Sequence, residues 1–375
     1  MIIKLATQCL AIALLSLPTL VVALSNDSLT TGDIAGTEVD SYSFSATAGD
    51  TVSVRLADIA SFIFSPLISV TTPSGSQVFT DSDATVAGVD FVAPESGVYA
   101  VDASSAGATV NHSGFYHLYF QLIPGSNELG ALADAAMINE NLDRGDLDSF
   151  IVSASSGQRI IAKAGQTFSS SGYDPLLALH APSGTLLDSQ TSDSSALVEA
   201  LVSETGDFIL SSRDSDTFLS FSGSGGYNIN AVTIPGTNEL GILVNGGTVN
   251  FDIENGDIDS FQFLASAGDA ITLELALAGA ASSGFTPQVR LYDPAASLVQ
   301  QETISVTNSI ILSATLPANG LYTVVVLDSD DSATGNLDLT LEGATTVESV
   351  SIPVPFIYLA PLAILMMTVY RLTRR

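Results

Sequence analysis

Two sets of acidic residues stand out as able to do chemistry. Asp143, Asp146 and Asp148 form one, and Asp252, Glu254, Asn255, Asp257 and Asp259 form its counterpart 111 positions later. Hard oxygen donors gathered on turn-like sequence are the donor set of Ca²⁺. Calcium is therefore the one cofactor these residues suggest, with Asp143, Asp146, Asp148, Asp252, Glu254, Asp257 and Asp259 as its ligands. Further acids, Asp214 and Asp216, then Asp328, Asp330 and Asp331, come late in each half and would close on the first set from the same end of a sandwich. Neither set fits the twelve-residue loop D-x-[DN]-x-[DN]-G-x₅-E. Asp148 and Asp259 each precede Ser-Phe and equally suit a turn-capping hydrogen bond. Ligand and solvated acid both stand as readings.

Catalytic patterns are missing. There is no H-E-x-x-H and no G-x-S-x-G. His180 reads as an outward residue at a strand end, His117 lies on a polar strand face and His112 in a turn, and they share no recurring position. A common histidine-based site is excluded, and the chain is expected not to be an enzyme. Paired carboxylates leave acid–base glycoside hydrolysis as a formal alternative. Sugar stacking platforms are poorly supplied, since there is no Trp. Tyr42, Tyr99, Tyr227 and Tyr322 fall at core-like strand positions, whereas Tyr116, Tyr119 and Tyr173 read as freer.

The 375 residues carry 40 acids and 10 bases, a formal charge of −30. Such a chain does not neutralise phosphates, so nucleic acid is excluded as a partner. A hydrophobic content of 46% excludes wholesale disorder, and a single Cys excludes a disulfide framework. Lys4, Arg371, Arg374 and Arg375 lie at the two ends with only Glu348 among the acids, so the body between them is about −33.

Residues 1–25 read as a secretory signal helix: Lys4, the apolar run Leu10 to Val22, and small residues at Ala23-Leu24-Ser25 as a cleavage site before Asn26. Residues 346–375 read as a C-terminal transmembrane segment with a cytoplasmic basic tail. Phe356 to Tyr370 alone spans only ~22 Å at 1.5 Å per residue, against a hydrocarbon core of ~30 Å; starting at Val350 gives ~31 Å but places Pro353 and Pro355 inside the segment.

Between these ends the elements that would position the acids are repeated. Ile123-Pro-Gly-Ser-Asn-Glu-Leu-Gly130 returns as Ile234-Pro-Gly-Thr-Asn-Glu-Leu-Gly241, and Gly145-Asp-Leu-Asp-Ser-Phe150 as Gly256-Asp-Ile-Asp-Ser-Phe261. A more diverged copy begins with Glu38-Val-Asp-Ser-Tyr42. A period above a hundred residues is that of a small domain. The repeats are therefore 26–124, 125–235 and 236–345. Each alternates apolar and polar residues with period two, as in Val52, Val54, Leu56 and Ile271, Leu273, Leu275. Turn residues intervene every 8–12 positions or so, the pattern of an all-β antiparallel sandwich with one face of each sheet solvated.

The order D-x-D-S-[FY], A-G-D, P-S-G, G-x-[YF] resembles the bacterial pre-peptidase C-terminal domain. The matches are Asp40-Ser41-Tyr42, Ala48-Gly49-Asp50, Pro73-Ser74-Gly75 and Gly97-Val98-Tyr99; Asp148-Ser149-Phe150, Pro182-Ser183-Gly184 and Gly206-Asp207-Phe208; and Asp259-Ser260-Phe261, Ala267-Gly268-Asp269 and Gly320-Leu321-Tyr322. The third copy has Ala296 at the turn glycine. The resemblance implies three tandem jelly-roll-like sandwiches of a kind appended to secreted peptidases and found in surface proteins. Related domains bind collagen, polysaccharide or calcium. The C-terminus resembles the exosortase-type (PEP-CTERM) sorting signals, on Pro353-Val354-Pro355, the apolar run, and Arg371, Arg374 and Arg375, with Val354 where that family has Glu. It implies an exosortase-like processing enzyme as a partner; a plain membrane anchor is the alternative.

The expected protein is exported, membrane-anchored or sortase-processed and non-enzymatic. It would present sandwich modules at the cell envelope or extracellular matrix, with extracellular polysaccharide or protein as partners. The alternatives are a calcium- or polysaccharide-binding adhesin, and an accessory partner of a secreted peptidase.

Overall fold

A computed structural model describes residues 21–59, 65–107, 113–125, 128–167, 173–215, 223–304, 308–329 and 333–345. Residues 1–20 of the expected signal, His112, Asp216, Asp330, Asp331 and the whole sorting segment lie outside the described residues. Among the described residues the chain is all-β, without a helix, in six sheets arranged as sandwiches. No described helix is long and apolar enough to cross a membrane.

Each repeat contributes two four-stranded sheets with the same strand order. In the first, the front sheet runs Asp40–Ala46, Gly97–Ser105, Pro66–Thr71, Val78–Ser82, and the back sheet Ser28–Ala35, Ser113–Ile123, Thr51–Asp58, Val86–Val92. In the second, the front sheet is Leu147–Ala154, Gly206–Asp214, Pro175–His180, Leu186–Thr191, and the back sheet Ile138–Leu142, Gly225–Ile234, Arg159–Gln166, Ser195–Leu201. In the third they are Ile258–Ala265, Gly320–Asp328, Pro287–Tyr292, Leu298–Thr303 and Thr248–Ile253, Gly335–Glu342, Ala270–Ala281, Ser309–Thr315. Pairing within these sheets is antiparallel.

A hydrophobic core fills each sandwich. The alternating residues of the sequence supply it: Val52, Val54 and Leu56 in the first, Ile160, Ala162 and Ala164 in the second, Ile271, Leu273 and Leu275 in the third. Tyr42, Tyr99, Tyr227 and Tyr322 are in these cores as expected. Tyr116, Tyr119 and Tyr173 are buried too, contrary to the reading that left them freer. Their hydroxyls explain it. Tyr116 Oη donates to Asp40, Tyr173 Oη pairs with Ser212 Oγ, and Tyr119 Oη meets His117 Nδ1.

The first sheet gains a short parallel strand, Val22–Ala23, beside Tyr42 and Ser43. Leu24 is buried and its N–H donates to Ser43 O. The same contact recurs where Leu132 donates to Ile151 O and Leu243 to Gln262 O. Residues 22–24 thus occupy in the first module the place that the linkers fill in the other two.

Successive modules share buried faces. The outward face of the second module's back sheet (Ile161, Val232, Ile234) packs on the outward face of the third module's front sheet (Ile258, Tyr292, Val325, Leu327) in a cluster of their own. The turn glycine of the repeated motif permits the approach. A Cβ on Gly256, itself at φ 74°, would lie 2.6 Å from Asn228 O, and one on Gly165 would lie 2.5 Å from Gly256 N. One module earlier, Gly145 at φ 78° stands against Ala57. His180 alternates with core residues Leu177 and Leu179, so it does face outward, yet it is only 5% exposed. It holds the position of Tyr292, which the inter-module cluster buries.

Candidate functional site: carboxylate triads at the module junctions

The repeated motifs fold so as to bring three acids together at each junction. Glu128, Asp146 and Asp148 form one triad and Glu239, Asp257 and Asp259 the other. In each, one carboxylate oxygen per residue lies within 4.8 Å of the others. Asp148 and Asp259 are second residues of front-sheet strands. Asp146 and Asp257 sit in the preceding turn, which they cap: Leu147 N–H donates to Asp146 Oδ1 at 2.9 Å and Ile258 N–H to Asp257 Oδ1 at 2.8 Å. The motif serine brings in the linker glutamate, because Glu128 N–H donates to Ser149 Oγ and Glu239 N–H to Ser260 Oγ, both at 3.1 Å.

Of the residues expected to bind calcium, Asp146, Asp148, Asp257 and Asp259 belong to the triads. Asp143, Asp252 and Glu254 are exposed outside them. Asp143 and Glu254 contribute turn N–H groups to Asp146 and Asp257, and Asp252 accepts from Asn336. Of the late acids, Asp214 accepts the Asp174 N–H, and Asp328 accepts the Thr286 and Ala333 N–H groups. Glu128 and Glu239 were not singled out as ligands, although both lie in the octapeptides whose recurrence defines the repeat.

In both triads negative charge is crowded, with the aspartates half-buried or buried and the glutamate exposed. Burial pushes the Asp148 carboxyl up to about 8, with Asp146 adding repulsion, and lifts Glu128 to about 7. Burial pushes Asp259 to about 9, with Asp257 and Glu239 adding to it, and Glu239 to about 7. Burial raises Asp146 and Asp257 as well.

The triads differ in their neighbours: Asp27 stands beside Glu128 and Ser149 at the first, where burial pushes its carboxyl up to about 7, and Asn230 donates to Asp257 at the second. Tyr227 Oη donates to Asp148 Oδ2 at 2.5 Å, as Tyr116 does to Asp40 in the first module. In the third module the strand position opposite Phe251 is Leu337, so no hydroxyl reaches Asp259. Asp259 Oδ2 is buried and has no hydrogen-bond partner.

Chemically, three oxygen donors within this span suit a hard divalent cation. Hydrolysis of a glycan by paired acids needs a cleft beside them. A cavity of about 370 Å³ between the first two modules is lined by Arg55, Asp90, Arg144, Asp146 and Arg213, among others, and a groove of about 410 Å³ by Thr167, Asn228, Asp252, Glu254, Asn255 and Asn336, among others. Asp146 is the one triad residue that borders either of them.

All six basic residues of the body also lie at the junctions. Between the first two modules, Arg55 and Arg213 both hold Asp90 at 2.7 Å, and Arg144 donates to Asp58 O. Between the second and third, Arg159 and Arg290 share Glu199 at 2.7 and 2.9 Å, Arg159 also donates to Ala296 O, and Lys163 Nζ donates to Asp328 O at 2.6 Å.

No family model matches the chain, and no curated protein does. Solved structures offer weak likenesses. The periplasmic inhibitor of g-type lysozyme from Salmonella Typhimurium aligns at 19% identity over 27% of this chain and 96% of its own, with a TM-score of 0.22. The M60 catalytic domain with two CBM51 domains from Clostridium perfringens ZmpB aligns at 8% identity over 83% of this chain and 55% of its own, TM-score 0.22. An archaeal virus protein with a triple jelly roll fold aligns at 10% identity over 87% and 86%, TM-score 0.17. At these scores none bears on function.

Proposed function

We propose that the chain is an exported, non-enzymatic surface protein whose three modules, jelly-roll-like and of the pre-peptidase C-terminal type, form one stacked spacer held at the cell envelope by the C-terminal segment. The observation that carries this reading is the placement of every basic residue of a −33 body at a junction. Modules joined as loose beads would have no reason to concentrate their cations there. The strand order supports the jelly-roll assignment, since each module divides its eight strands as 2-7-4-5 and 1-8-3-6. Tethering and presentation then follow from rigidity, with extracellular polysaccharide or protein as the presented surface's partners.

Denaturant unfolding of the exported chain tests the stacking. Coupled modules unfold in one or two cooperative transitions, whereas three independent transitions at the stabilities of separate modules would sink the reading. Mass spectrometry of the mature ends tests the address. A cut near Pro355 supports exosortase-type processing and an intact Arg375 a plain anchor. At the other end, cleavage after Ser25 would remove both Leu24, which fills the place of Leu132 and Leu243, and the strand Val22–Ala23, whereas cleavage after Ala23 would keep Leu24 and lose the strand.

A further inference from the structure

We propose that Lys163 and Asn230, on neighbouring strands of the second module's back sheet, join through their side chains in an isopeptide bond, with Asp257 of the third module relaying the proton. Three observations converge on this. Lys163 is the one lysine of the body, where every other basic residue is an arginine, and it is only 3% exposed. Asn230 is its direct cross-strand partner and is fully buried. Asp257 is buried as well and holds that asparagine: Asn230 Nδ2 donates to Asp257 Oδ1 at 3.1 Å and to Ile258 O at 3.2 Å. Lys163 in turn lies close enough to Asp257 to favour its carboxylate form. An amine, a primary amide and a carboxylate are thus gathered at one buried place.

The surroundings suit the chemistry. Directly opposed residues of an antiparallel pair have Cβ atoms ~4.5–5.5 Å apart, a gap within reach of the long lysine stem. The next residues along the same face, Ile161 and Val232, belong to the apolar cluster that also takes in Ile258 and Leu327, the chain neighbours of Asp257 and Asp328. Lys163 Nζ ends in that region, donating to Asp328 O at 2.6 Å. Apolar enclosure favours an uncharged amine over an ammonium, and the uncharged amine is the nucleophile. Nδ2, the atom that must leave, is the one the carboxylate holds, while Asn230 Oδ1 has no donor among the described residues. Asp257 takes a proton from the ammonium, and the amine bonds to Cγ of Asn230. The Cγ–Nδ2 bond then breaks as Nδ2 accepts that proton, and the second proton shed by Lys163 joins the leaving group. An ammonium and a primary amide become a secondary amide and a free ammonium ion, with no oxidant or co-reactant. The sister modules cannot form the link, since Arg55 and Tyr119 hold these positions in the first and Glu274 and Thr340 in the third. There is one bond per chain. Because Asp257 belongs to the third module, the bond forms only after the two modules have stacked, and it then locks the sheet on which the third module rests.

The test is the mass of the folded, monodisperse full exported chain, measured under denaturing conditions and followed by digestion and fragment sequencing. The peptides containing Lys163 and Asn230 are expected as one branched species, lighter than their sum by one ammonia, about 17 Da. Lys163→Arg keeps the charge and removes the nucleophile, so its two peptides should separate at full mass. Asp257→Asn retains both reacting side chains and should cut the linked fraction at least about tenfold. Asp207→Asn, at an exposed position of the same module, should be linked as fully as the parent. Separate parent peptides at full mass would overturn the proposal, leaving Lys163 as a buried cation alone. An undiminished link in Asp257→Asn would overturn the part given to Asp257.

Discussion

Between the second and third modules, Ile161, Val232, Val325 and Leu327 close over one another; at the same positions one junction earlier stand Ser53, Gln121, Ser211 and Arg213. The backbone geometry is shared and the adhesive is not. Each fully buried aliphatic side chain contributes about 1.5–3 kcal/mol. The earlier junction relies instead on Asp90 between Arg55 and Arg213, and the Asp90 side chain is 41% exposed. Ion pairs whose carboxylate is open to solvent contribute about 0–1 kcal/mol each and weaken with salt, although the Arg55 and Arg213 side chains here are only 14% and 20% exposed. The same stacking can therefore be firm or yielding according to four side chains, and the second and third modules should behave as one unit with the first more loosely attached.

The largest break in this contrast comes from Ile161→Ala. It should cost about 2–5 kcal/mol in denaturant titration, while Ser53→Ala at the equivalent position costs less than about 1 kcal/mol. Acid should act next, and on the earlier junction. Burial, aided by the Arg213 charge, holds His180 at a pKa of about 4, below its ordinary 6.5. Its neutral form is the one folded protein accepts. The contribution is complete above pH ~6.5 and is lost as pH falls from there toward 4, by at most about 3 kcal/mol. A His180→Gln variant should show a flatter acid limb in stability measured against pH. Glu199→Gln leaves Arg159 and Arg290 sharing one weakened acceptor in a half-buried site, and a loss of about 1–3 kcal/mol is expected by denaturation. The smallest effect is Asp90→Asn, no more than about 1 kcal/mol and vanishing in high salt. If Asp90→Asn proved as damaging as Glu199→Gln, the two junctions would be equivalent and the contrast would fall.

The all-β reading and the repeat were legible because period-two alternation and the octapeptides are local signals. The stacking was not, because it rests on residues whose outward faces are covered by another module. Ser41, Ser43 and Ser45 of the first front sheet alternate with core residues and meet solvent at least in part, as the pattern implies. Val324 to Leu327 and Ile160 to Ile161 break that alternation with continuous apolar runs, which is the signature of a sheet buried on both faces. The motif glycines carried the same information. Gly145 and Gly256 stand where a preceding module presses in, whereas the first copy, which no described module precedes, has Thr37 there. At the candidate site, spacing found four of the six triad acids. The linker glutamates escaped because only the folded serine contacts bring them in.

With all six positive charges of the body folded inward at the junctions, the face the molecule turns to its surroundings is almost purely anionic. Two such bodies side by side find no cationic patch to grip, and their fields overlap within a Debye length of ~8 Å at physiological ionic strength. Crowded on one surface, they would behave as a polyelectrolyte brush, keeping their distance laterally and drawing in counterions, with the lateral spacing set by the salt of the medium.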